Sequence, residues 1–296
     1  MRTSAFLAAC LLSCATTSSD AQYPYFDWLA AQSQTTLAIS YRTDAEIQAD
    51  TGRNQRPNAL ISYDAGRDAA RAHFPPGLGS YSTTQIRPGF YGNFFHVDSG
   101  NVLFTWDVQY SQTFDTFPAE GIRTHKAYQL SYNGGGDSRR IEIRTRFSDA
   151  GAGEIAKIDV RRYVWGGEGD SAPMGRGGCG GQCQLNEFTV MPETWTRFWA
   201  FVDFESAQFS LWVADENRAP VQLFDNYPLV ITSPLNAFWF EWNSSQSRTG
   251  GADAYIWFRN FVVMRDLSDP DAVVAQGARF GADTVPPAKP AGLALK

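Results

Sequence analysis

The chain has 296 residues, with 25 Lys and Arg against 31 Asp and Glu, for a formal net charge of −6. Hydrophobic residues make up 43% and charged residues 19%, which argues against a disordered chain, and the length permits one large domain or two small ones, with β-sandwiches often running to this size as one. An acidic balance also argues against a general nucleic-acid binder, because neutralising phosphates needs a broad basic surface.

The first 21 residues read as an export signal. Arg2 supplies the positive start, residues 5–12 a short apolar run, and Ser19-Asp20-Ala21 a small-x-small cleavage site. That run is too short to span a bilayer, and no other segment is long and apolar enough to do so. "LLSC" at 11–14 also resembles a lipobox, which would make Cys14 a lipidated N-terminus of an outer-membrane lipoprotein. The expected location is therefore secreted or periplasmic, with the lipoprotein as the alternative.

Residues 22–54 read as an N-terminal extension with one short helix. In "RTDAEIQAD" (42–50), Thr43 with Glu46 three places on forms a capping box. From 55 to 266 the pattern alternates with period two, as extended strands require. "NVLFTWDVQYS" (101–111) sets Phe104, Trp106, Val108 and Tyr110 against Thr105, Asp107 and Gln109. "THKAYQLSY" (124–132), "SRRIEIRTRF" (138–147) and "AKIDVRRYVW" (156–165) follow, then strands at 197–205, 209–216, 237–243 and 255–264. Gly, Asn, Asp and Pro punctuate the gaps, and no long helical pattern interrupts them. The expected fold is all-β, an antiparallel β-sandwich of jelly-roll type with short peripheral helices.

Two cysteines remain beyond the signal, Cys179 and Cys183, in the glycine loop "GRGGCGGQCQL". Export implies an oxidising compartment, so a short-range disulfide is expected there and a metal site is the lesser alternative. Residues 267–296 read as a C-terminal helix starting after Ser268 or Asp269, then a Pro-rich extended tail.

The segment "RRIEIRTR" puts Arg140, Glu142, Arg144 and Arg146 on one face and Ile141, Ile143 and Thr145 on the other. If all the apolar sets face one core, the polar sets share one exposed face. It would carry His125, Gln129, Arg140, Glu142, Arg144, Lys157, Asp159, Arg161, Tyr163, Trp239, Glu241 and Asn243. Arginines match carboxylates with two parallel hydrogen bonds, and Trp or Tyr can stack on sugar rings. Such a face suits an acidic sugar chain, although alternating charge on a strand often marks nothing more than a solvated surface.

The strand order and the closing strand "YIWFRNFVVMRD" resemble the concanavalin A-like jelly roll, over roughly residues 55–266. That superfamily includes legume-type lectins, laminarinase-like glycosidases and several polysaccharide lyases. "RIEIR" (140–144) is similar to the R-[S/T]-E-[L/V]-R strand on the concave face of jelly-roll alginate lyases, with Ile141 where that family has Ser or Thr. The family's downstream Q-I-H or Q-I-V and Y-F-K-x-G motifs are absent; Gln85-Ile86 lies upstream. The resemblance implies a secreted polysaccharide lyase acting by β-elimination on a uronate-containing glycan. Arg140 or Arg144, helped by Gln129 or Asn243, would neutralise the enolate-like intermediate, and His125 and Tyr163 would carry protons. Glu142, Lys157, Arg161, Trp239 and Glu241 would contact substrate.

Two other classes stay open: a noncatalytic carbohydrate-binding module, and a glycoside hydrolase using two of Glu142, Asp159 and Glu241. The laminarinase-type E-[IL]-D-x-x-E motif is absent. The expected partner is an acidic polysaccharide, with no nucleic acid, and the chain is expected to be a monomer. No cofactor is expected; a structural calcium ion, common in this superfamily, is left open because no Asp-rich ligand loop stands out.

Overall fold

The computed structural model describes residues 24–50, 61–77, 82–86, 97–116, 124–132, 139–146, 156–163, 186–229, 237–244 and 251–278. The expected export signal, Cys14, the expected disulfide pair Cys179 and Cys183, and the Pro-rich tail lie outside the described residues.

Alternating apolar residues produce the expected all-β fold, an antiparallel sandwich of two sheets. The first elements are α1 (Pro24–Ala30), β1 (Thr35–Ile39), α2 (Asp44–Asp50), β2 (Ile61–Asp64), β3 (Ala69–Phe74), β4 (Ser82–Ile86) and β5 (Asn101–Tyr110). A one-turn 3-10 segment follows at Gln112–Thr116. Then come β6 (Thr124–Tyr132), β7 (Arg139–Arg146), β8 (Ala156–Tyr163), β9 (Thr189–Val190), β10 (Thr196–Asp203), β11 (Gln208–Asp215), β12 (Arg218–Pro228), β13 (Ala237–Ser244), β14 (Ala254–Arg265) and α3 (Pro270–Gly277). The larger sheet runs β12-β11-β10-β5-β14-β3-β2, and the smaller runs β4-β13-β6-β7-β8-β9. β1, from the expected N-terminal extension, pairs with Phe261–Met264 of β14, further along the strand than the Ala254–Phe258 stretch that takes β3.

The core between the sheets is aromatic. Phe104, Trp106, Val108 and Tyr110 of β5 join Phe198, Phe209, Ile256 and Phe258 from the large sheet with Ile141, Ile143 and Ile158 from the small one. Trp106 and Phe198 stack at 5.2 Å with their planes 2° apart. Burying side chains of this size supplies the main stabilisation, at roughly 25 cal/mol per Å² of apolar surface.

β14 changes face partway along. Asn260 sits at φ 56°, and the pairing with β5 shifts between Arg259 and Val262. Asn tolerates this left-handed conformation better than most residues. The shift is a β-bulge: Ile256 and Phe258 reach the core before it, and Phe261 and Val263 after it.

One expectation is corrected here. The polar set of β5 does not lie on an exposed face shared with the small sheet. It lies on the outer face of the large sheet and is buried: Thr105 is 1% exposed, Asp107 0% and Gln109 6%. Gln109 is held under Arg67 and the Glu193 carbonyl; for Thr105 and Asp107 the reason is a second layer. Tyr25 and Leu29 of α1 and Val273 and Val274 of α3 pack there with Leu103, Trp199, Val262 and Met264. The Asp107 charge is met inside this layer. Arg197 donates Nε to Oδ1 at 2.6 Å and Nη2 to Oδ2 at 2.9 Å, and Asn260 donates Nδ2 to Oδ2 at 2.9 Å.

Tyr25 fastens the helices to the sheet. Its hydroxyl donates to the Val273 carbonyl at 2.8 Å and accepts from Trp199 Nε1 at 3.0 Å. Burial pushes its phenol well above the ordinary tyrosine range, against an opposing pull from the Arg197 guanidinium. Gly277 is required beside it, because a Cβ there would run into the Trp199 ring and come within 2.7 Å of Tyr25 Cζ. The capping box of α2 forms as expected: Glu46 N donates to Thr43 Oγ1 at 3.3 Å, and Glu46 Oε2 accepts from Thr43 N at 3.1 Å. At α3 the cap is Asp269, which accepts from Ala272 N.

Candidate functional site

The small sheet brings the predicted residues onto neighbouring strands β13, β6, β7 and β8. On β7 the expected alternation holds: Ile141, Ile143 and Thr145 are buried at 0%, 1% and 1% exposure. The intervening positions 140, 142, 144 and 146 therefore belong to the sheet's outer face.

Cross-strand register turns this face into a grid, since directly paired residues of an antiparallel pair share a face. One rung runs Trp239–Gln129–Glu142–Arg161. A second runs Ser131–Arg140–Tyr163. A third runs Thr83–Asn243–Lys126–Arg144–Asp159. A fourth runs Thr124–Arg146–Lys157. Adjacent strands stand about 4.8 Å apart, and successive same-face residues along a strand about 6.7 Å apart. Each rung carries an arginine, and in two of them a carboxylate takes the neighbouring place: Glu142 opposite Arg161, and Asp159 opposite Arg144. Glu241 falls on the same face as Trp239 and Asn243 and pairs with Gln85 of the edge strand β4.

His125 is not brought into this grid. The β6–β7 pairing shifts between Lys126 and Tyr128. Beyond the shift, Gln129 and Ser131 pair with Glu142 and Arg140. Before it, His125 pairs with Thr145, a buried position, and Lys126 with Arg144. The inserted residue exchanges the two faces of the strand, so Lys126 and not His125 takes the outer-face position. Alternation counted straight along "THKAYQLSY" puts Lys126 on the opposite side, and nothing in those residues marks the bulge. Gln85 was also missed as a member of this face; its strand is short and it lies far upstream of the other members.

Among the described residues, no three His, Cys, Asp or Glu side chains are grouped so as to hold a metal ion. Among the same residues, no helix is long and apolar enough to cross a membrane.

No protein-family model matches the sequence, and no curated protein matches it. Solved structures do resemble the fold. An alginate lyase from a Chlorella virus is 12% identical, with a TM-score of 0.39 over 67% of this chain and 84% of that one. The catalytic domain of a GH131 β-glucanase from Podospora anserina is 11% identical, with a TM-score of 0.44 over 79% of this chain and 95% of that one. Peanut lectin is 8% identical, with a TM-score of 0.44 over 77% of this chain and 96% of that one.

Proposed function

We propose that the outer face of the small sheet takes up an acidic polysaccharide and cleaves it by β-elimination. The observation that carries this reading is the register, which stacks Arg161, Arg140, Arg144 and Arg146 on consecutive rungs beside Trp239 and Gln129. An arginine on every rung offers bidentate partners for successive uronate carboxylates.

The chemistry follows from that charge. A base removes the proton at C5, next to the carboxylate. The electron pair forms the C4=C5 double bond, the C4–O bond breaks, and the departing oxygen takes a proton. Negative charge builds on the carboxylate during the step, and Arg140 or Arg144 is the group assigned to neutralise it. Tyr163, level with Arg140, is the assigned proton carrier. Lys126, level with Arg144, stands where the sequence pattern had set His125. The substrate side is completed by Glu142, Lys157, Arg161, Glu241 and Asn243. An exported protein fits a polymeric substrate of this kind, and the N-terminal signal supports export.

A binding-only surface is the second reading. It is favoured by the register, which sets His125 opposite the buried position Thr145 and not on a rung with Tyr163.

The test is the purified mature protein on alginate, glucuronan, pectate, glycosaminoglycans and neutral β-glucans. Ultraviolet absorbance from the new double bond is followed together with reducing ends. A rise in both on an acidic polymer is the expected result. Tyr163→Phe should then lose about 100-fold or more in turnover while still binding, and Arg140→Ala with Arg144→Ala should lose binding itself. Reducing ends without absorbance refute elimination and point to hydrolysis by Glu142, Asp159 or Glu241. Silence in both, with retention on a glycan gel, leaves a binding surface only.

A further inference from the structure

The outer face of the large sheet is divided. The helices α1 and α3 roof one part. Among the described residues nothing roofs the part formed by β2, β3 and the start of β14, and a cleft of about 440 Å³ lies over it, within the range of small-ligand sites. Tyr255 and Trp257 belong to this face: the residues between and beside them, Ala254, Ile256 and Phe258, point into the core.

Half-buried Tyr255 and His73 supply the accessible rings of the floor, with the Arg71 guanidinium 5.4 Å over Tyr255, while Trp257, 4% exposed, lies buried beneath Arg67. His73 and Tyr255 stack at 4.9 Å with planes 18° apart, and Tyr255 and Trp257 follow at 5.8 Å. The Arg67 guanidinium lies 3.8 Å over the Trp257 ring. The polar groups around the rings are fixed by one another. Arg67 donates Nε to Gln109 Oε1 at 2.7 Å and Nη2 to Glu193 Oε2 at 2.6 Å. Asp64 Oδ2 accepts from Trp257 Nε1 at 2.8 Å. Arg71 donates Nη2 to Ser62 Oγ at 2.9 Å, and His73 Nε2 meets Asp253 Oδ1 at 2.8 Å. Several of these side chains stay wet: Arg67 is 36% exposed, Arg71 37%, Glu193 44% and Asp253 52%.

These features select a ligand class. Positioned donors and acceptors around an aromatic floor match a hydroxyl-rich ring with one apolar face. Three carboxylates against two guanidiniums leave no positive excess, so an anionic chain is disfavoured. Charged walls disfavour a purely apolar ligand. We infer that this cleft is a second glycan-holding site, specific for neutral sugars, on the sheet that does not carry the arginine rungs. It leans on the proposed function only for the class of ligand. Elimination chemistry plays no part in it.

The experiment is affinity electrophoresis of the mature protein through gels containing mixed-linkage β-glucan, xylan or galactomannan, with alginate as the acidic control. Wild type should be retarded by at least one neutral glycan, with little sensitivity to salt. Tyr255→Ala and Arg71→Ala should weaken that retardation at least fivefold, while Arg140→Ala with Arg144→Ala leaves it unchanged. If Tyr255→Ala melts early, Asp253→Ala joins Arg71→Ala, since both side chains are half-exposed. The inference is overturned if no neutral glycan retards wild type, if folded cleft variants bind within twofold of it, or if only the small-sheet substitutions abolish binding. Absence of double-bond absorbance, by contrast, refutes the elimination reading and leaves retention on neutral glycan as it was.

Discussion

Replacing Asp107 with alanine should be among the most damaging single changes in the large sheet. The carboxylate is fully buried, and it receives two hydrogen bonds from Arg197 at 2.6 and 2.9 Å and one from Asn260 at 2.9 Å. Arg259 Nε stands 3.6 Å away as well. The two guanidiniums are themselves only 8% and 11% exposed. Their ring contacts, Arg197 over Tyr25 at 4.4 Å and Arg259 over Trp195 at 3.6 Å, survive the substitution. Those contacts contribute about 2 kcal/mol at most when desolvated, and they do not replace a counter-charge. Removing one partner of a buried ion pair costs about 3–5 kcal/mol, because the other charge stays buried. At about 2–4 °C per kcal/mol for a domain of this size, the melting temperature should fall on the order of 10 °C. The assay is urea denaturation followed by tryptophan fluorescence, with Arg197→Ala and the double variant completing a cycle. Coupling of about 1–3 kcal/mol is expected between the two positions. An Asp107→Ala variant within about 1 kcal/mol of wild type, or a cycle with no coupling, would refute the reasoning.

Two further predictions concern the helical layer. Gly277→Ala should destabilise by about 1–3 kcal/mol, since the added methyl meets Trp199 and Tyr25 and must push α3 off the sheet; a shifted urea midpoint with altered Trp emission checks it. Tyr25→Phe should cost about 1–3 kcal/mol at neutral pH, because the Val273 carbonyl loses its donor and the Trp199 N–H its acceptor. The same residue sets an alkaline limit. Tyr25 and Tyr41 both have their phenols raised above the ordinary value of 10.0, chiefly by burial. A group raised on folding contributes stability in full below its unfolded pKa and loses it as pH climbs beyond. Urea midpoints should therefore hold from about pH 8 to about pH 10 and then fall, less steeply in Tyr25→Phe. A midpoint unchanged up to about pH 11 would contradict this.

Much of the sandwich was legible because alternation is a local property. A strand such as "RRIEIRTR" declares its two faces without reference to its neighbours, and the burial of Ile141, Ile143 and Thr145 agrees. The capping box at Thr43 and Glu46 and the Asp269 cap were legible for the same reason: each joins residues only three places apart. What alternation does not report is what lies beyond each face. In β5, Asp107 and Thr105 read as solvent-facing because they are polar, yet α1 and α3 cover them, and the charge is answered by an arginine 90 residues away. The α1 segment, "PYFDWLA", is only 7 residues long, too short for helical periodicity to stand out from the sequence around it.

Register is the deeper reason that the candidate site was only partly readable. A face is a property of one strand, but a rung is a property of two, and a single inserted residue exchanges the faces of everything beyond it. The break between Lys126 and Tyr128 does this to β6, as the one between Arg259 and Val262 does to β14. In β14 the bulge leaves a trace, since Asn260 favours the left-handed backbone it occupies. In β6 no such residue stands at the break. Lys126 therefore joins Arg144 and Asn243 on one rung while His125 falls opposite Thr145. In a chain with net charge −6, the register lines positions Arg140, Arg144, Arg146 and Arg161 along the small sheet, and the large sheet's buried Arg197 and Arg259 are matched by Asp107. On the proposed reading an acidic glycan meets the arginine rungs of the small sheet, so added salt should weaken its binding while leaving any neutral-glycan binding at the other sheet nearly unchanged.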